Sequence, residues 1–271
     1  MAPQRRRLDA ELVRRKIARS REHAVELIKD GRVFVGGFKA AKPASVVEPD
    51  VSIRIEGGED ENWASRGAHK LLGALDAFSI DLKDKKVLDA GASTGGFTDV
   101  CLRRGAAEVL AVDVGYGQLL WRLQNDDRVK VLDRTNIRHL TLEHTDGECD
   151  AMVGDLSFIS LKLTLPAMAQ VMAPGAVMLP MVKPQFEVGK DRVGTSGVVR
   201  SPELRIEVTN DVASFAHTLG LSCQGVVASP LPGPSGNVEY FLKLVNDGGA
   251  THPEEAELLS MIETAVKDGP Q

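Results

Sequence analysis

The 271-residue sequence predicts an α/β chain, with a doubly wound parallel-sheet domain behind a small α+β module. Three observations carry this. Lys86-Val87-Leu88 is a short apolar run, followed by a small-residue turn, Asp89 to Gly96, and a helical pattern from Phe97 to about Gly105. Apolar strand runs then alternate with helical patterns to the end of the chain, as in βαβ units. Finally, residues 1–42 hold 12 basic and 5 acidic side chains, although the whole chain has a net charge of −5. A basic head on an acidic body points to a head that meets a polyanion.

The totals fit a globular protein large enough for more than one domain, with 43% hydrophobic and 26% charged residues. Cys101, Cys149 and Cys223 are scattered without a pairing or zinc spacing. They argue against a disulfide framework or a metal site and fit the reducing cytoplasm. The start is basic and lacks the apolar run of a secretory signal.

In the head, Leu8, Leu12, Val13 and Ile17 sit at helical spacing. Ser20 is placed to cap a second helix with Ala24, Leu27 and Ile28 on one face, stopped by Asp30-Gly31. Arg32 to Val35 reads as a strand into the Gly36-Gly37 turn, and Val51 to Ile55 as another. Arg5, Arg6, Arg7, Arg14, Arg15, Lys16, Arg19 and Arg21 supply phosphate-binding charge; the plainer alternative is a solvated face. Arg7-Leu8-Asp9, Leu12-Val13, Ser20-Arg21, Gly31-Arg32-Val33 and Lys42-Pro43 resemble the S4 family of RNA-binding domains. An Asn-Gly turn is common in that family, and here Gly36-Gly37 takes its place.

The acidic stretch from Glu56 to Asn62 reads as a linker, and a helix through Leu71, Leu72, Leu75 and Phe78 precedes the first strand. A lone lysine such as Lys70 on such a helix usually snorkels to the surface. After the Gly-rich turn, Val109 to Val112 is the second strand and ends in Asp113, where a ribose diol is gripped in this architecture. The turn Asp89-x-Gly91-x-Ser93-Thr94-Gly95-Gly96-Phe97 is not the Gly-x-Gly-x-x-Gly dinucleotide pattern. A carboxylate at Asp89 repels a pyrophosphate and suits a cationic sulfonium with an ammonium, as in S-adenosylmethionine. Another nucleotide, or a purely structural capped turn, stays open on this stretch alone.

Further on, Leu119 to Leu123 reads as a helix and Val129 to Leu132 as the third strand, followed by Asn136 where an adenine would be contacted. Asp150 to Asp155 is the fourth strand, with Asp155 at the ligand-binding carboxyl end; Leu156 to Ser160 carries on into a helix. Residues 163–182 carry no charge over a membrane-spanning length, but Pro166, Pro174-Gly175 and Pro180 interrupt them. A helix from Leu161 to Met172 and a buried strand from Ala176 to Met181 explain them better. Lys183 ends that strand, and Gly189 to Val199 is long enough for a substrate loop. Ser201-Pro202 opens a helix to about Leu219, Cys223 to Ala228 is a strand, Asn237 to Leu244 the last strand, and Glu254 to Val266 a closing helix.

Lys70, Asp155, Lys183 and Glu239 fall at strand ends or flanking elements. Two lysines and two carboxylates suit methylation of a sugar hydroxyl, which must lose its proton as it attacks. Such a lysine must be neutral to take that proton, and burial and a second ammonium both favour that form. Ser65 to Leu71, Asp89 to Phe97, Asp113 to Leu119, Asp155 to Ser160, Val182 to Glu187 and Gly233 to Glu239 resemble the TlyA (hemolysin A) family over nearly the whole chain.

That resemblance implies a Rossmann-like, FtsJ-like domain with a seven-stranded sheet, its last strand antiparallel and carrying Glu239. It implies S-adenosylmethionine-dependent 2′-O-methylation of cytidine in ribosomal RNA, with a Lys70-Asp155-Lys183-Glu239 tetrad and Lys183 nearest the 2′-hydroxyl. The cofactor would be held by Asp89, Gly91, Ser93, Thr94, Gly95, Gly96, Phe97, Asp113, Asn136 and Asp155. Arg66 joins the RNA contacts. The expected domains are 1–60 (S4-like), 61–65 (linker) and 66–271 (methyltransferase). The expected partners are ribosomal subunits, with no membrane partner and no metal, and a monomeric chain. A membrane-active hemolysin and a non-catalytic RNA-binding protein are the competing readings.

Overall fold

The computed structural model describes residues 5–15, 17–18, 20–48, 51–55, 63–193, 197–233 and 235–270. Its contacts divide the chain into Met1–Asn62 and Trp63–Gln271. Arg19 and the linker residues 56–62 lie outside the described residues.

In the first unit, α1 (Leu8–Arg14) and α2 (Arg21–Lys29) pack Leu8, Leu12, Ala24 and Ile28 over Val33. Ser20 caps α2, its hydroxyl accepting from His23 N at 3.1 Å. Two short sheets complete it. β1 (Arg6–Arg7) pairs with β4 (Val46–Val47), while β2 (Val33–Val35) pairs with both β3 (Phe38–Lys39) and β5 (Ile53–Ile55). Gly36 and Gly37 make the β2–β3 turn at φ +58° and +88°, a conformation that glycine adopts without strain.

The second unit carries a seven-stranded sheet of β6 (Lys86–Ala90), β7 (Glu108–Val112), β8 (Val129–Leu132), β9 (Cys149–Gly154), β10 (Met172–Val182), β11 (Leu221–Ala228) and β12 (Tyr240–Asn246). Their order is β11-β12-β10-β9-β6-β7-β8. Six strands run in one direction, and β12 runs antiparallel to both its neighbours, as expected for the last strand. Both faces are covered, so the central strands are apolar on each side. Leu88, Leu110 and Met152 share one core with α9 (Pro202–Thr218) and α10 (Glu255–Asp268); Val87, Val109 and Val153 share the other with α3 (Gly67–Phe78) and α4 (Gly96–Arg103). The remaining helices, α5 (Trp121–Gln124), α6 (Leu142–Thr145), α7 (Leu165–Ala169) and α8 (Pro184–Glu187), are single turns.

Four expectations are corrected. Leu156 to Ser160 is a loop rather than a helix, with Phe158 at φ +63°. The expected helix Leu161–Met172 is a 3₁₀ turn, Leu161–Leu163, and the short α7. Strand β10 starts early, at Met172, because it pairs with Cys149 before a bulge that absorbs Pro174 and Gly175 (φ +79°). The last strand starts at Tyr240, so Glu239 stands one residue before it. The side chain of Asn237 accepts from Val199 N and donates to Gly197 O instead of leaving its segment to the ladder. Among the described residues no helix is long and apolar enough to cross a membrane.

The acidic side chains of α1 are buried under arginines. Asp9 takes Arg7 and Arg21, and Glu11 takes Arg14 and Arg15. Arg7 holds the Asp9 carboxyl far below the usual carboxylate range, and Arg14 holds Glu11 down to about 2. Both carboxylates are ionised in the folded chain at pH values where the unfolded chain has protonated them. The unit therefore keeps this stability above about pH 4 and loses it as pH falls through the folded values. Asp9→Asn is expected to cost about 2 kcal/mol. Amide exchange across Leu8–Arg14 measures it, and unchanged protection would disprove it.

Candidate active site

The parallel strands β6, β7, β9 and β10 end on one edge of the sheet, where ligands bind in open α/β folds. Because β12 runs the other way, its start meets that edge: Tyr240 pairs with Val182. Lys183, one residue after β10, and Glu239, one residue before β12, are therefore neighbours in space by register alone. Asp155 follows β9, its backbone N donating to Ala90 O at 3.0 Å. Lys70 comes from α3.

These four side chains form a charge quartet. Lys70 Nζ lies 2.5 Å from Glu239 Oε2 and 3.9 Å from Asp155 Oδ2. Lys183 Nζ lies 2.5 Å from Asp155 Oδ1, and it donates to Ser157 Oγ at 2.6 Å. Lys70 is buried, not the snorkelling lysine expected of its type. Lys183 and Glu239 are also buried, whereas the Asp155 side chain is 24% exposed. Asp155 is thus the open corner. Removing either partner of the inner Lys70–Glu239 pair would strand a buried charge. Ser157 gave no sequence signal beyond its place beside Asp155.

Asp155 also lines a cavity of about 490 Å³, with Gly91, Ser93, Asp113 and Asn136 on its wall. The volume suits a nucleoside-sized ligand. Gly91, at φ +87°, lets the turn pass Asp155; a Cβ there would stand 3.0 Å from the Asp155 carbonyl. Asp113 is fixed by two backbone donors, Ser93 N at 2.8 Å and Gly115 N at 2.7 Å. Asn136 caps a 3₁₀ turn by accepting from Arg138 N at 3.1 Å.

The other expected cofactor residues build the turn. Gly95 sits at φ +98° against Leu119 and Leu123, Gly96 against Ser65 and Ala68, and the Thr94 carbonyl accepts from Leu120 N. Phe97, which follows the turn, is buried with its ring 6.1 Å from that of Phe241.

Asp89 is fully buried. One carboxylate oxygen accepts from Thr98 Oγ1 at 2.6 Å, while Oδ1 has no partner among the described residues. Burial pushes its carboxyl up to about 7, with the charges of Asp155 and Asp113 adding to the rise. A buried oxygen without a donor, among carboxylates, fits a ligand that brings positive charge and N–H groups. S-adenosylmethionine has that chemistry, and the sequence did not reveal that Thr98 would hold the other oxygen. Among the described residues no group of three or more His, Cys, Asp or Glu side chains is placed to hold a metal ion.

In the first unit Arg5 pairs with Glu48, and Arg7, Arg14 and Arg21 are exposed while bound to the buried acids of α1. Arg15 is more enclosed, and Arg6 is exposed. Arg66, at the start of α3, is exposed in the second unit.

Residues 63–245 match the FtsJ-like methyltransferase family, and residues 6–53 match the S4 domain family. The 16S/23S rRNA (cytidine-2'-O)-methyltransferase TlyA of Mycobacterium tuberculosis is 56% identical over 240 residues, covering 89% of this chain and 90% of its own length. Hemolysin A of Brachyspira hyodysenteriae is 33% identical, covering 88% of this chain and 99% of its own. A solved structure from Streptococcus thermophilus that carries a hemolysin name is 34% identical, with a TM-score of 0.77, and covers 99% of this chain and 98% of its own.

Ionised Asp89 is the form that attracts a cation. The affinity for S-adenosylmethionine is therefore expected to rise roughly tenfold per pH unit up to about pH 7, and Asp89→Asn to flatten that slope. Because the folded carboxyl titrates above the unfolded one, the ligand-free protein loses stability as pH rises from about 4 to 7. Asp89→Asn should then melt higher than the parent at pH 8. Calorimetric titration and thermal melts read both, and a flat affinity profile in the parent would refute the assignment.

Proposed function

The chain belongs to the TlyA family of FtsJ-like methyltransferases. From that premise we propose that it methylates the 2′-oxygen of a cytidine in ribosomal RNA, in the 16S, the 23S or both. The carrying observation is the Lys70-Glu239-Asp155-Lys183 quartet, which shares Asp155 with the wall of the cofactor-sized cavity. In this reading residues 1–60 grip RNA as an S4 module through Arg5, Arg6, Arg7, Arg14, Arg15, Arg19 and Arg21. Residues 61–65 are the linker, and 66–271 do the chemistry with Arg66 on the RNA. The protein works as a monomer on ribosomal subunits in the cytoplasm.

S-adenosylmethionine, when bound, supplies a methyl group made electrophilic by its sulfonium. Asp89 answers the ammonium of that ligand through its free oxygen, Asp113 the ribose diol, and the Asn136 turn the adenine. Lys183, in its neutral form, meets the substrate 2′-oxygen and takes the proton that it gives up on methylation. Asp155 sets Lys183, and Lys70, clamped by Glu239, sets Asp155. Such alignment is the main thing a direct transfer requires of the protein. The proposal explains why four charges stay half to fully buried, where an apolar set would be at least as stable.

Radiolabelled methyl transfer to purified ribosomal subunits, followed by digestion to nucleosides, is expected to place label in 2′-O-methylcytidine. Label on a base would remove the quartet's role. Lys183→Ala should lower the rate by roughly 10²- to 10⁴-fold while leaving S-adenosylmethionine binding intact. Full activity in that variant would overturn the assignment of the proton acceptor.

A further inference from the structure

A second cavity, of about 850 Å³, adjoins the first and shares Arg138, Phe158 and Ile159 with it. Phe186 and Gln185 stand on its wall. Phe158 is 89% exposed, and its ring lies 5.1 Å from that of Phe186. Gln185 Oε1 is buried and has no donor among the described residues. The neighbouring carboxylate does not compete for a ligand amine: Glu187 already accepts from Ser160 Oγ at 2.6 Å and Leu161 N at 2.8 Å. Gln185 is therefore a cavity-lining residue whose buried side-chain oxygen has no donor among the described residues, two residues from Lys183 across Pro184.

We propose that Gln185 reads the target base by accepting the exocyclic N4 amine of cytosine at Oε1. The inference rests on the cytidine reading above. A nucleoside whose 2′-oxygen is at Lys183 must put its base close by, and the second cavity adjoins the one that Asp155 lines and holds Gln185, two residues from Lys183, on its wall. Cytosine offers a donor at position 4 and uracil a carbonyl acceptor, so with the Gln185 amide oriented as it stands, uracil would set two acceptors against each other. A well-made contact of this kind discriminates roughly tenfold to a hundredfold. Lys183 and Gln185 then divide the nucleotide, one at the sugar and one at the base.

The test uses the full chain and ribosomal subunits that carry either the natural cytidine or a uridine at the labelled position. Initial rates of methyl transfer are compared for the parent, Gln185→Leu and Gln185→Glu, with S-adenosylmethionine affinity and melting temperature as folding controls. The parent should prefer cytidine by roughly tenfold to a hundredfold. Gln185→Leu should bring the ratio near one, mainly by slowing cytidine. Gln185→Glu carries only acceptors and cannot rotate an amine inward, so it should keep or sharpen the preference. A parental ratio in Gln185→Leu, or equal rates for both substrates in the parent, would overturn the proposal. No transfer to either substrate by the parent would instead sink the cytidine reading itself.

Discussion

One backbone register holds the catalytic edge together: Val182 of β10 opposite Tyr240 of the antiparallel β12. Residues 58 positions apart meet because one strand leaves the edge where the other enters it. Lys183 and Glu239 inherit their closeness from backbone hydrogen bonds, not from mutual attraction. That matters because bringing such charges out of water is unfavourable unless each is matched. The sheet brings them together first, and the pairs Lys70–Glu239 and Lys183–Asp155 then neutralise one another.

The same edge explains the graded exposure of the site. The inner pair is sealed beneath the sheet ends, while Asp155 opens onto the first cavity. The Gly91 turn presses against the Asp155 backbone, so the cofactor-sized space and the charge quartet meet at Asp155. Asp89 lies on the strand below and keeps one oxygen unsatisfied. Asp89 and Gln185 each keep one buried acceptor without a donor among the described residues, at a cost the rest of the fold sustains. In the first unit the logic is reversed. Asp9 and Glu11 are answered within the chain, and Arg7, Arg14 and Arg21, which help to answer them, remain exposed.

Much of this was legible in the order of residues. Ser20, Ser201-Pro202 and the Gly-rich turn carry their structural meaning within a few positions, and the structure has helices or turns at each. The misreadings share a cause. Leu156 to Ser160 and Leu161 to Met172 were read as helix from local pattern, yet Phe158 takes a left-handed conformation, Glu187 ties down Ser160 and Leu161, and β9 recruits Met172 into the sheet. Phe97 follows the turn, and the Phe241 ring from β12 packs near it in the core.

The sequence by itself determined most element types, the Gly-rich turn after the first strand, the basic head and which four residues carry charge to the strand ends. These follow from short-range patterns: periodicity, capping side chains and positions that demand glycine. Tertiary structure alone decided that Lys70 is buried, that Glu239 clamps it while Asp155 bridges the lysines, and that Asp89 and Gln185 each keep an unanswered oxygen. Burial and pairing depend on strands and helices far apart in the chain, and no local pattern contains that information.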